Sequence, residues 1–347
     1  MSMSKKDRPS VALETVRRTE LETLRVIAVA AFAQGLRDYG KRPDGIETIG
    51  WHERGCAEGS YLAIRADGRL AGGARVFDYG EGVFRIGSLF VDPALHGRGI
   101  GSRALAAIER RYPQASRWSL DTPALDARSR RFYENAGYVN VGSSRAERAS
   151  DFRLIDYLKL PLLREIREAD LFPGRRDASP WEEAGFALRQ AARAVLLDAD
   201  GRMALMRVTR SGCHKLPGGG IEAGEDVFAA LRRELREEVG AGEIQLTDEI
   251  GMTAEYIAEY RLKQFSYAYA ARLTGPLGVS ALTAEEQGDG FALMWARPEE
   301  ALHLMRSDRP NSLSGHFIRC RDLAIVRSFL EQSGSGDAWQ RGGETHL

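Results

Sequence analysis

Three glutamates, Glu234, Glu237 and Glu238, stand within five residues of one another near the end of LPGGGIEAGEDVFAALRRELREEVGA, residues 216–241. Four glycines, Gly218, Gly219, Gly220 and Gly224, stand near its start. At about 100 degrees per residue Phe228, Leu231, Leu235 and Val239 share one face, which predicts an amphipathic helix with the carboxylates on an arc bordering the apolar stripe. Glu234 and Glu238 are a like-charged i,i+4 pair, a spacing that costs an isolated helix roughly 0.2–0.5 kcal/mol, so local helix stability does not account for it. A hard divalent cation such as Mg2+ takes carboxylate oxygens and does account for it. The glycines let backbone approach a ligand where a side chain would block it, and phosphate suits such a place. A solvated acidic helix after a flexible loop is the plain alternative, and it explains neither the spacing nor the glycines.

A second stretch raises the same question for an anion. In LFVDPALHGRGIGSRALAAIERRY a strand ends at Pro93, and a turn carrying His96, Gly97, Arg98, Gly99, Gly101 and Ser102 runs straight into a helix. The unpaired amides and partial positive charge of a helix N-terminus bind phosphate, and glycines admit it closely. Arg98 adds charge. Taken alone, the glycines equally describe a tight strand-to-helix turn.

These residues need scaffolds, and at 347 residues the chain is longer than one core usually supports. Hydrophobic residues make up 43% and charged residues 28%, a composition that folds, and 49 basic residues balance 49 acidic ones, so no overall field points to nucleic acid or an anionic membrane. The longest apolar run, VIAVAAFA, is too short to span a bilayer, and a cytoplasmic location is expected. Cys56, Cys213 and Cys320 are odd in number and not spaced as metal ligands, which predicts reduced thiols. Residues 20–40 read as a helix stopped by Gly40, residues 60–92 as three antiparallel strands, and residues 186–208 as two strands joined at Asp200-Gly201. Two domains are expected: residues 1–162 and 183–332, with a charged, Pro-containing linker at 163–182 and a flexible Gly/Ser tail at 333–347.

Gly219, Glu225, Arg233, Glu234, Glu237, Glu238 and Gly240 match, position for position, the signature of the Nudix hydrolases: seven fixed positions over 23 residues, with Leu235 at the aliphatic place and the smaller Ala241 at the last. The second half is therefore identified as a member of that family. The resemblance implies hydrolysis of a nucleoside diphosphate-linked compound by water, with Mg2+ or Mn2+ at the pyrophosphate. By the same resemblance Glu237 and Glu238 are metal ligands, Glu234 is a ligand or the general base, and the Gly218 carbonyl joins the metal. Glu225 and Arg233 fasten loop to helix. Glu285 or Glu286 stands for the family's variable extra ligand, and Tyr256 lies where dinucleoside polyphosphate hydrolases carry a tyrosine. The substrate implied is a nucleoside triphosphate or related nucleotide.

VDPALHGRGIG followed by FYENAGY resembles the two linked motifs of the GNAT acyltransferases, and the element order of residues 20–160 agrees with that fold. The resemblance implies that the acetyl-CoA pyrophosphate lies on the amides of the turn, Gly97 to Ser102, and that the strand around Leu89 to Val91 offers its backbone to the pantetheine arm. Tyr133 falls at the general acid for the departing thiolate, against the alternative of a tyrosine packed on the core. His96 replaces a more usual Gln or Arg, and Asp126 a more usual Asn. No base for the acceptor amine stands out: Arg85 and Ser88 occupy the strand where a glutamate often serves, with Glu81 and Glu58 as candidates.

The fold expected is α/β (α+β) in two domains, a GNAT-like mixed sheet with flanking helices and then a Nudix α/β/α sandwich. The function expected is a metal-dependent hydrolase of nucleotides fused to an acyltransferase using acetyl-CoA and an amine acceptor. The competing class is a regulatory protein that senses nucleotide and CoA with one or both domains non-catalytic. No membrane partner is expected, and association with a second copy is left open.

Overall fold

A computed structural model describes residues 9–145 and 152–334. The chain divides after Lys159 into two units. The first contains β1 (Val11–Thr15), α1 (Leu21–Tyr39), α2 (Ile49–Ala57), β2 (Tyr61–Ala66), β3 (Arg69–Asp78), β4 (Val83–Val91), α3 (Ile100–Arg111), β5 (Arg117–Pro123), α4 (Ala127–Asn135), β6 (Val139–Arg145) and β7 (Arg153–Lys159). Its strands form one sheet in the order β1-β2-β3-β4-β5-β7-β6.

The expected helix is α1, closed by Gly40 at φ +70° with its amide on the Leu36 carbonyl at 3.2 Å. The expected three antiparallel strands are β2, β3 and β4. α2 was not expected, because IGWHERGCA carries two glycines and no sustained period. What holds it is specific: Thr48 caps the Trp51 amide at 3.3 Å, and the buried His52 ring bridges the Tyr61 hydroxyl at 2.8 Å and the Ile46 carbonyl at 2.9 Å.

β4 is the strand that matters for function. Against β3, Arg75 faces Ser88 and Val76 faces Ile86, so Gly87 is an extra, bulged residue. A Cβ at Gly87 would lie 2.4 Å from the Phe77 ring, which only glycine avoids. β4 pairs with β5, in parallel, only from Val83 to Arg85. From Ile86 onward its edge toward β5 is unpaired by that strand, and the sheet opens beside the N-terminus of α3.

The second unit contains β8 (Leu162–Arg167), α5 (Glu168–Leu171), α6 (Pro180–Glu183), β9 (Ala187–Leu197), β10 (Met203–Val208), β11 (Cys213–Lys215), α7 (Val227–Glu234), β12 (Ile244–Ile257), β13 (Leu262–Leu273), α8 (Ala284–Gly288), β14 (Phe291–Ala296), α9 (Pro298–Ser307) and α10 (Leu313–Gly334). The sheet order is β11-β10-β9-β13-β12-β8, with β14 also on β10. Ala268 and Ala270 of β13 join a core with Met305 of α9 and Ile325, Val326 and Phe329 of α10. Between them Tyr269 points to the opposite face, where its ring meets Phe228 of α7 at 5.2 Å. The sheet is thus covered on both faces, by α7 and by α9 with α10.

The stretch expected as a linker contributes a strand. Residues 162–167 pair in parallel with β12, Arg164 opposite Thr253 and Ile166 opposite Glu255, and belong to the second sheet. The charged residues that suggested a linker lie along a sheet edge, with Ile166 wholly buried between them. The tail expected from 333 lies outside the described residues beyond Gly334, where α10 ends. No helix among the described residues is long and apolar enough to cross a membrane.

Candidate active sites

α7 begins with Asp226, whose carboxylate accepts from the Phe228 and Ala229 amides at 2.9 and 2.8 Å. It is α-helical only to Glu234. Leu235–Val239 then forms a π-helical turn, stopped by Gly240 at φ +77°. Glu234 at the end of α7 and Glu238 in the widened turn, 8% and 2% exposed, lie in the interior with Leu231, Leu235 and Val239. The sequence pattern placed both carboxylates at the border of the apolar face; the structure buries both.

Gly219 is explained by this placement, because a Cβ there would stand 2.3 Å from a Glu234 carboxylate oxygen. Burial, and secondarily the Glu238 charge, hold the Glu234 carboxyl above its ordinary range, against the lowering influence of Arg233. Glu237 is half-exposed. Arg233 spans both, donating to Glu234 at 2.8 Å and to Glu237 at 3.2 Å, and is itself fixed by Glu225 at 2.9 and 3.0 Å and by the Gly220 carbonyl at 2.9 Å. Glu238 accepts from Lys215 Nζ at 2.5 Å and from the Gly218 amide at 2.8 Å.

The donor set is all oxygen and suits a hard divalent ion, with two conditions. Among the described residues no three His, Cys, Asp or Glu side chains converge into a ready cation cage. The Gly218 carbonyl already accepts from Arg193, whose buried guanidinium is pushed down to about 10, mainly by burial and then by the Arg321 charge. One lone pair of that carbonyl remains for a cation, beside a positive group.

In the first unit the turn after β4 is shaped by Gly97 at φ +76° and by Gly99, the cap of α3, at φ +71°. The first bond within α3 runs from the Arg103 amide to the Gly99 carbonyl at 3.3 Å, so Ile100, Gly101 and Ser102 have no partner inside the helix. These residues, with Val91, His96, Gly97, Gly99 and Tyr133, line one cavity of about 690 Å³. Arg98 does not line it; its carbonyl accepts from Arg103 at 2.8 Å. His96 Nε2 lies 3.1 Å from the Val91 carbonyl and must be the donor, which engages part of the strand edge expected to meet pantetheine.

Tyr133 packs on Phe132 and Tyr138, with centroids at 4.9 and 5.8 Å. Burial first, then the charges of Asp121 and Asp126, hold its hydroxyl well above the ordinary tyrosine value, so it keeps its proton. Asp126 has a local reason to be there: it caps α4, accepting from the Ser129 amide at 2.9 Å and hydroxyl at 2.7 Å.

The chain matches two family models, the NUDIX domain over residues 187–314 and the acetyltransferase (GNAT) family over residues 24–138. The chain is a fusion of a GNAT domain and a NUDIX domain. Uncharacterized protein YrkN of Bacillus subtilis (strain 168) is 32% identical over 138 residues, 38% of this chain and 75% of that protein. Among solved structures, the PaiA N-acetyltransferase of Thermoplasma acidophilum in complex with coenzyme A is 15% identical, covering 44% of this chain and 99% of that one at a TM-score of 0.37. The ribosomal-protein-S18-alanine N-acetyltransferase of Escherichia coli is 15% identical, covering 43% and 92% at a TM-score of 0.35.

Other candidates are employed elsewhere. In the GNAT domain Glu58 pairs with Arg75, and Glu81 sits exposed in a turn at φ +51°. Arg85 pairs with Asp121 of β5, and Asp121 lies directly opposite Asp156 of β7. Burial, then the Asp121 charge, raises the Asp156 carboxyl. Sequence reasoning missed this pair because its members are 35 residues apart and meet only through strand register. Ser88 is buried, its hydroxyl without a partner among the described residues. In the NUDIX domain Glu286 closes a capping box with Thr283 at 2.8 Å, and Tyr256 lies under the Arg167 guanidinium at 4.3 Å from its ring centroid.

Proposed function

We propose that the NUDIX domain is a divalent-metal-dependent hydrolase of nucleoside diphosphate-linked compounds, with a nucleoside triphosphate or related nucleotide as substrate. The GNAT domain transfers an acetyl group from acetyl-CoA to an amine. The observation that carries the hydrolase reading is the buried Glu234 carboxylate lying where the Cβ of any other residue at 219 would stand. Glycine there leaves the room that the Glu234 carboxylate occupies.

Glu234, Glu237 and Glu238 would hold a divalent cation, which would supply charge neutralisation at the pyrophosphate. Glu234, with its raised proton affinity, accepts a proton from the attacking water, and Arg233 fixes its orientation. In the GNAT domain the free amides of Ile100, Gly101 and Ser102 receive the CoA pyrophosphate. Tyr133 delivers its proton to the departing thiolate.

Release of phosphate, pyrophosphate and nucleotide from nucleoside triphosphates, sugar nucleotides, dinucleotides and CoA, with and without Mg2+, tests the first activity. Selective magnesium-dependent cleavage of one class supports it. Binding without cleavage across the panel favours the sensor reading instead.

A further inference from the structure

We propose that Lys215 is the internal counter-ion of the NUDIX carboxylates, an ammonium that a divalent cation must displace from Glu238 in order to bind. The inference rests on the reading that Glu234, Glu237 and Glu238 take such a cation. Both oxygens of Glu238 are occupied, one by Lys215 at 2.5 Å and the other by the Gly218 amide at 2.8 Å. The two side chains are 10% and 2% exposed, so the ammonium neutralises the carboxylate directly with little solvent to screen it, and the Arg193 charge acts on Glu238 from farther off. A buried charge left without its partner is strongly unfavourable, and the metal-free domain therefore needs a cation here.

The choice of residue points to displacement. The chain uses 43 arginines and only six lysines, and Lys215 is the buried lysine among the described residues. An arginine fork would grip the carboxylate in a fixed bidentate geometry, whereas an ammonium on a four-carbon stem makes a compact, movable contact. Arg233 illustrates the fixed kind, held by Glu225 and the Gly220 carbonyl while it serves Glu234. Lys215 has a second station already in place, since its Nζ lies 4.7 Å from the Phe291 ring centroid. Over that ring the ammonium stays stabilised once Glu238 has turned to another cation. Metal uptake is then an exchange of one cation for another, and Glu238 is compensated throughout.

Reductive methylation of the full chain, read at Lys215 by mass spectrometry with and without saturating Mg2+, tests this in the natural sequence. Modification several-fold higher with Mg2+ is expected, and equal protection in both states overturns the exchange. Calorimetric titration with Mn2+ supplies the second arm: Lys215→Met, which removes the competitor, binds on the order of tenfold more tightly than the natural protein. Equal or weaker binding by Lys215→Met overturns the proposal while leaving the metal reading intact. If neither protein takes up Mn2+, the metal reading itself falls and the exchange with it. Uptake by Lys215→Met alone would show that Lys215 blocks the cation instead of exchanging with it, and overturns the proposal.

Discussion

In the GNAT domain the amides of Ile100, Gly101 and Ser102 border a cavity of about 690 Å³ with no partner inside their helix, whereas in the NUDIX domain each carboxylate of the box is bonded to a nitrogen of the chain. The difference follows from what each holds. A cradle of neutral dipoles at a helix N-terminus is satisfied by water when empty. Two buried carboxylates are not, because desolvated charges of one sign destabilise the fold unless compensated. One site can therefore stand open, and the other must carry its own cations until a ligand takes their place.

The comparison breaks most visibly if Glu234 is neutralised. Glu234→Gln keeps the shape and removes the base, so metal-dependent hydrolysis is expected to fall by about 10²- to 10⁴-fold with acetyl transfer unchanged. Retained turnover would assign Glu234 to structure. On the other side, Tyr133→Phe is expected to slow acetyl transfer about 10²-fold while acetyl-CoA affinity, measured by calorimetry, stays put. Parallel loss of rate and affinity would make Tyr133 a packing residue of the cavity wall.

A smaller effect sharpens the steric half of the contrast. Gly219→Ala places a methyl group against the Glu234 carboxylate, and overpacking of this kind costs about 1–3 kcal/mol. Hydrolysis and melting temperature should both fall. Gly97→Ala meets no atom within 4 Å, and its cost comes only from φ +76°. Gly219 has no positive φ, so equal losses at the two positions would show that the Glu234 carboxylate yields readily to the added methyl group.

How far the sequence could be read follows the same physics. The carboxylate box and the glycine turn before α3 were legible because their chemistry is local: a few residues, close in the chain, set the glycines, caps and carboxylates. The π turn was not, since Leu235–Val239 has ordinary helical composition and only the burial of Glu234 and Glu238 marks it. Strand β8 was hidden by its edge charges, with Ile166 as the one buried anchor. The Arg193 bond to the Gly218 carbonyl and the pairing of Lys215 with Glu238 join residues more than 20 positions apart. Asp121 and Asp156 meet only because β5 and β7 pair in one particular register.

That last pair gives the smallest and most specific prediction. The Asp156 carboxyl is raised above its ordinary value of 3.8, by burial first and by Asp121 second, so the folded protein holds this proton more tightly than the unfolded chain. Its stabilising contribution is full below pH 3.8 and is lost as pH rises through the folded-state value. Asp156→Asn carries no charge to desolvate and escapes the loss. Melting temperatures of the two proteins, compared from pH 4 upward, should start close together and separate in favour of the variant as pH rises toward 7. A constant offset across the range would mean that Asp156 acts through its Ser144 hydrogen bond alone and that the two carboxylates do not sense each other. A widening gap would show that burial and the neighbouring Asp121, partly offset by Arg85, hold the Asp156 proton in the folded domain.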